Sequence, residues 1–288
     1  MLERCAEEPG AEAALQRLRL AASRGERLHA GEPVVLEGDG GRAVAVHFKG
    51  APLGRRPGWR HAVRGAVGLG VPRLREFDNL RWLRAREFDA PAPLAACVRR
   101  TKRRPTWQGI ATRHVEGALP LEAWIDARSP EERGALVDAL GRTLGRLHAL
   151  GFVHRDLYAR NLLVHPARPE RPILLDAWRG GVDVAARLEA GLARRDALYD
   201  LACLFVHLPA LLTRTEQRRL LAHYCERRGW APREADRRLV RLARARRAAA
   251  QRERARGRTG EPDVRLDWER VELATRVSST ADARAADS

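Results

Sequence analysis

One segment constrains this chain more than any other: Val153-His154-Arg155-Asp156-Leu157-Tyr158-Ala159-Arg160-Asn161-Leu162-Leu163-Val164, which follows a long helical pattern and ends in a short strand. Further on, the apolar run Ile173-Leu174-Leu175 delivers Asp176 ahead of Ala177-Trp178-Arg179-Gly180-Gly181. An isolated aspartate in such a place is usually a turn or cap residue. The joint pattern is more restrictive: His-Arg-Asp-Leu, an asparagine five residues after the aspartate, then a second strand-borne aspartate. Two carboxylates and a carboxamide at the mouths of short strands are what phosphoryl transfer requires. Asp156 accepts a proton from, or orients, the acceptor hydroxyl, while Asn161 and Asp176 hold Mg2+ against the phosphates. Magnesium suits such a sparse oxygen set because it keeps waters and phosphate oxygens in its shell.

The rest of the chain supplies strands first and helices later. Leu15, Leu18 and Leu20 suggest a short helix within 11–30. Two β-rich runs, Val34 to Leu36 and Arg42 to Lys49, flank a Gly/Asp turn and read as a hairpin. Gly50 to Val71 is rich in Gly, Pro and Arg and reads as a loop. A helix is expected over Pro72 to Phe88 on the stripe Leu74, Phe77, Leu80, Leu83. Strands around Leu94–Val98 and Gly109–Val115 flank the basic turn Arg99 to Pro105. Ser129-Pro130-Glu131-Glu132 is the best helix start, with an N-cap serine, proline at the first position and glutamate three residues after the cap. Leu136, Leu140, Leu144 and Leu147 line that helix. From Asp183 onward the pattern is mainly helical, including an apolar segment from Leu198 to Leu212. The order fits a two-lobed arrangement better than a regular βαβ alternation.

Composition narrows the classes. With 54 Lys+Arg against 37 Asp+Glu the 288-residue chain carries a formal +17, yet Lys49 and Lys102 are its only lysines. Arginine used so freely, with alanine beside it, marks a biased composition, so the surplus charge does not by itself name a partner. The basic runs Arg99–Arg104 and Arg237–Arg258 come without a nucleic-acid-binding motif, so no nucleic acid is expected. The longest apolar run, Leu201 to Leu212, is too short to cross a membrane and contains His207 and Pro209. No secretory signal is visible at the start, and Cys5, Cys97, Cys203 and Cys225 lack metal spacing, so reduced thiols and a cytoplasmic setting are expected.

On the motif around Asp156 and Asp176 the chain resembles the protein-kinase-like superfamily. Within it, the chain is most similar to the lipopolysaccharide kinases that phosphorylate Kdo or heptose sugars. Tyr158 stands where protein kinases usually have lysine, Asp176-Ala177-Trp178-Arg179 replaces Asp-Phe-Gly, and the runs Asp200–Leu204, Leu212–Glu216 and Leu220–Tyr224 resemble that family's C-terminal helices. The resemblance implies an α+β, protein-kinase-like two-lobed fold, with a small β-rich N-lobe carrying one key helix (28–116) and a larger, mainly helical C-lobe (117–270). Residues 1–27 would be an N-terminal extension and 271–288 a disordered tail. It implies ATP and Mg2+ as cofactors, and a sugar hydroxyl of a lipopolysaccharide core or similar glycolipid as acceptor. A basic protein working on such an acceptor has room for peripheral contact with an anionic inner membrane.

The superfamily also needs a cation on the third strand to hold phosphates, paired with a glutamate from the next helix. Lys49 ends the strand Ala43–Phe48, and a compact ammonium suits a crowded phosphate pocket. Glu76 is the expected partner, with Glu87 as the alternative near the helix end. No Gly-x-Gly-x-x-Gly precedes Lys49; His29-Ala30-Gly31-Glu32-Pro33 takes that place, and Glu116-Gly117-Ala118 would follow the adenine-contacting strand. Asp200, ahead of an apolar run, is expected to accept backbone donors from the catalytic loop, and His154 to pack and hydrogen-bond rather than act as a base. Rival readings are a kinase for protein Ser/Thr or another small molecule, and a pseudokinase-like scaffold. Oligomeric state is not written in the sequence.

Overall fold

The structure, a computed structural model, describes residues 1–29, 31–38, 41–54, 59, 62–63, 71–182, 197–231, 242, 245–246, 248–255 and 257. Two compact units emerge, one of residues 1–117 and 173–180, the other of 118–172 and 181–288. The mixed α and β composition read from the sequence is what is observed.

The first unit is built on an antiparallel sheet of β1 (Leu2–Cys5), β2 (Val34–Glu37), β3 (Ala43–Pro52), β4 (Pro93–Thr101) and β5 (Arg104–Arg113), in the order β1-β4-β5-β3-β2. Two helices, α1 (Ala11–Arg24) and α2 (Pro72–Arg84), pack on it. Residues 1–27, an extension in the sequence reading, thus provide a strand and a helix to this unit. Central strand β4 is buried without a break from Pro93 to Val98, as a strand covered on both faces must be. Ala14, Leu15, Leu18 and Ala22 of α1 meet Val44, Val46, Phe48, Cys97, Trp107 and Ala111. Each such fully buried leucine contributes roughly 1.5–3 kcal/mol. Leu20, expected on the same stripe, points outward at 50% exposure.

Register decides which way Lys49 faces. Gly50 lies opposite Gly109, and a Cβ on either would fall within 2.6 Å of the Trp107 ring. The glycine pair lets the indole lie flat on the α1 side, where its Nε1 donates to Glu26 O at 2.7 Å. Strand alternation then turns Lys49 and its partner Ile110 to the other side, which α2 covers with its N-terminal Arg73 amide donating to the Gln108 side chain. Helix α2 ends four residues before the expected Phe88, because Glu87 adopts a left-handed φ of 59° and turns the chain.

The second unit is mainly helical: α3 (Leu121–Asp126), α4 (Pro130–Ala149), α5 (Ala197–Leu204), α6 (Leu208–Leu211) and α7 (Arg214–Arg228). The capping box expected at Ser129 and Glu132 is present, and a second at Thr213 and Glu216 opens α7. Gly141 and Gly145 let α4 and α7 approach at backbone distance, for a Cβ at 141 would sit 2.4 Å from Leu220 O. The apolar run after Leu198 divides into α5 and α6, with Pro209 in the first turn of α6. Short strands β7 (Phe152–Val153) and β10 (Gly181–Val182) pair antiparallel, and β8 (Leu162–Val164) pairs with β6 (Leu119–Pro120). Within the basic run 237–258, part of the stretch expected to be mainly helical, the described residues 242, 245–246 and 248–254 are helical. The tail expected over 271–288 lies outside the described residues.

Candidate active site

The sequence-derived residues gather in two groups, one in each unit. In the first unit Lys49 forms an ion pair with Asp176, which follows β9 (Ile173–Leu174). Glu76, 2% exposed on α2, pairs with Arg73 one turn earlier and also hydrogen-bonds Asp176. The Lys49–Glu76 ion pair expected from the sequence is therefore replaced by a chain of four groups, Lys49–Asp176–Glu76–Arg73. The alternative Glu87 lies beyond the end of α2, in the left-handed turn.

Asp176 itself has φ 55°, a conformation that costs a non-glycine residue about 1–3 kcal/mol. Side chains from α2 stabilise the turn that follows. Asn79 donates to Ala177 O at 2.6 Å and to Gly180 O at 3.0 Å, and Arg75 donates to Gly180 O at 2.6 Å. The Leu174 amide donates to Asp89 O at 2.8 Å, tying β9 to the segment after α2. Charge follows from this setting. Burial works against ionised Asp176, but Lys49, with Arg73 and Glu76, outweighs it and holds the carboxyl below its ordinary value. Burial dominates at Glu76 and, with the neighbouring Asp176 charge, raises its carboxyl despite Arg73 and Lys49.

In the second unit the loop between β7 and β8 carries Asp156 and Asn161. Asp200, fully buried on α5, accepts the backbone amides of His154 and Arg155, the latter at 2.6 Å. His148 Nε2 lies 3.3 Å from the same carboxylate, and its Nδ1 lies 2.8 Å from the Tyr224 hydroxyl of α7. Arg155, at φ 64°, is thereby held in a left-handed turn immediately before Asp156. The scaffold role expected of Asp200 is what the geometry displays, and His154 is fully buried. Asn161 Nδ2 donates to Asp156 O at 2.7 Å, which closes the loop. Asp156 is 8% exposed and lies 3.9 Å from Arg160. Arg160 in turn pairs with buried Glu253 at 2.7 Å and stacks over Tyr158.

Several of these residues escaped the sequence reading. Arg73, Arg75 and Asn79 carry a local signal, since Arg73–Glu76 and Arg75–Asn79 are helix neighbours by spacing. Glu253 carries none, because its partner is distant in sequence. Ala30 in the turn before Lys49 lies outside the described residues, but Leu28 and Gly50 exchange backbone hydrogen bonds at 2.8 and 2.9 Å, so that segment reaches the strand beside Lys49. Gly117, φ 68°, closes the first stretch of the first unit, within the segment expected to contact adenine.

The first group offers a cation and carboxylates, and the second a carboxylate and a carboxamide. Among the described residues no group of three or more His, Cys, Asp or Glu side chains gathers as a metal site. The oxygens of Asn161 and Asp176 are the type magnesium takes. The model of the lipopolysaccharide kinase (Kdo/WaaP) family matches residues 41–224, a span that contains Lys49, Glu76, Asp156, Asn161 and Asp176. The chain belongs to this family. It is similar to a 3-deoxy-D-manno-octulosonic acid kinase of Stenotrophomonas maltophilia (strain R551-3), 33% identical over 148 residues that cover 47% of this chain and 57% of the relative. A protein of the same description from Xanthomonas oryzae pv. oryzae (strain PXO99A) is 34% identical over 143 residues, covering 43% and 53%. The match thus spans little more than half the length of these relatives. In fold the chain resembles the solved structure "WaaP in complex with acyl carrier protein", with TM-score 0.56 and 21% identity over 86% of this chain and 99% of that one.

Proposed function

We propose that the protein is an ATP- and Mg2+-dependent phosphotransferase that moves the γ-phosphoryl group to a sugar hydroxyl of a lipopolysaccharide core or similar glycolipid. In this reading the fold is kinase-like, with the first unit as N-lobe and the second as C-lobe. The observation that carries it is the loop from His154 to Asn161, fixed by two backbone bonds to Asp200 and closed by Asn161. Backbone bonds to Asp200 thus hold in place the segment that carries the Asp156 carboxylate.

Asp156 orients the acceptor hydroxyl and receives its proton as the new O–P bond forms and the bond to the leaving diphosphate breaks. Lys49 binds phosphate oxygens, and Glu76 is positioned to take the ammonium when Asp176 turns to other work. Asn161 and Asp176 would hold Mg2+, which when bound neutralises phosphate charge. The relatives' name makes a Kdo sugar the first acceptor to try, and work on such a glycolipid places the protein on the cytoplasmic side, at the inner membrane. The test is to incubate the full chain with Mg-ATP and Kdo-bearing lipid dispersed in detergent, and to weigh the product. A gain of one phosphate on the sugar supports the reading. No transfer to Kdo or heptose acceptors refutes it.

A further inference from the structure

The β4–β5 hairpin is unusual in both backbone and charge. Its two turn residues, Lys102 and Arg103, are left-handed at φ 47° and 65°. A turn of this kind ordinarily takes Asn-Gly, since a Cβ is strained there. Arg99, Arg100, Thr101, Lys102, Arg103 and Arg104 are all exposed. Arg99 spends its guanidinium on the carbonyls of Ala22 and Ser23, at the end of α1. Among the described residues Arg100, Lys102, Arg103 and Arg104 form no ion pair. The sequence explains why: from Ala90 to Val115 it contains no Asp or Glu. Arg24 and Arg27, also exposed, add charge at the same end of the sheet. Exposed cations on a strained turn, with no ion pair among the described residues, do not stabilise the described fold.

We propose that the tip of the β4–β5 hairpin docks the protein on an anionic bilayer surface. The choice of a bilayer rests on the glycolipid reading above, because such an acceptor is embedded among anionic headgroups. Nucleic acid fits less well, since the hairpin's one aromatic ring, Trp107, is 1% exposed and packed under α1, leaving no ring for base stacking. A cluster of four exposed cations needs no specific pocket, only a surface potential of opposite sign.

The test is flotation of the full chain with phosphatidylglycerol/phosphatidylethanolamine vesicles and with phosphatidylcholine vesicles. Lys102→Asn with Arg103→Gly removes two charges while giving the turn its preferred residues, so the fold is retained. At about 1 kcal/mol for each charge near the surface, this variant should bind the anionic vesicles about thirtyfold more weakly. A control, Arg218→Gln with Arg227→Gln on α7, removes the same charge elsewhere and should stay within about threefold of the parent. The docking site is overturned if the hairpin variant binds like the parent, if the control loses as much, if neutral vesicles bind equally, or if a single-stranded oligonucleotide binds more tightly than the anionic vesicles. Transfer to detergent-dispersed acceptor is read separately and should be unchanged in the hairpin variant. If no preparation transfers phosphate but vesicle binding follows the expected order, the proposed function fails and the docking surface stands.

Discussion

Two aspartates, Asp200 and Asp176, are both buried to some degree and both tied to a left-handed backbone, Asp200 through the Arg155 amide and Asp176 at its own φ, yet their partners differ. Asp200 is fully buried and held by backbone amides and an imidazole, partners that cannot leave without unfolding the loop. Asp176, whose side chain is 33% exposed, is held by the side chains of Lys49 and Glu76. A carboxylate built into backbone bonds fixes geometry, whereas one held by long side chains can change partners. The loop around Asp156 is thus pre-organised, and the Lys49–Asp176–Glu76–Arg73 chain is exchangeable.

The contrast can be broken by mutation. Asp200→Ala orphans two buried amides and should cost about 3–5 kcal/mol of stability, read by denaturant melts. Lys49→Ala should do the reverse: transfer falls about 10²–10³-fold while stability moves by no more than about 1 kcal/mol, since the ion pair is partly solvated. Gly141→Ala pushes a methyl to 2.4 Å from Leu220 O, and forcing α4 from α7 should cost about 1–3 kcal/mol in the same melts. Smaller effects sharpen the distinction. Burial pushes the Cys203 thiol up to about 12 and that of Cys97 to about 11, so neither should react with a thiol reagent at pH 8 while the protein is folded. Asp200→Ala should speed labelling of Cys203, beside it on α5, and leave Cys97 in the sheet unchanged.

The two carboxyls of the exchangeable chain also give opposite pH dependence. Asp176, lowered by Lys49, contributes stability above the free value of 3.8 and loses it as pH falls through its folded value. Glu76, raised chiefly by burial, binds its proton more tightly in the fold, so its contribution declines as pH rises above 4.5 and through its folded value. Stability curves of Glu76→Gln should therefore decline less steeply on the alkaline side than those of the parent.

What the sequence made legible was local. The Ser129 capping box and the His154–Asn161 loop are written in adjacent residues, and both are present. Asp200 was also readable, because a charge ahead of an apolar run must find donors. The partner of Lys49 was not, for it depends on how β9 and α2 meet within the first unit, where Asp176 rather than Glu76 pairs with it. The start of the chain was misread for a related reason. Leu2–Cys5 is a four-residue strand with no buried residue and so shows no hydrophobic period, and α1 packs through alanines as much as through leucines.

In the proposed function Asp156 takes the acceptor's proton from a loop whose backbone is fixed by Asp200. Single-turnover transfer by Asp156→Asn, with Mg-ATP affinity and melting measured on the same preparation, tests this directly. The expected result is nucleotide binding and stability close to the parent with transfer lowered about 10²–10⁴-fold. Transfer at the parent rate by Asp156→Asn would contradict it.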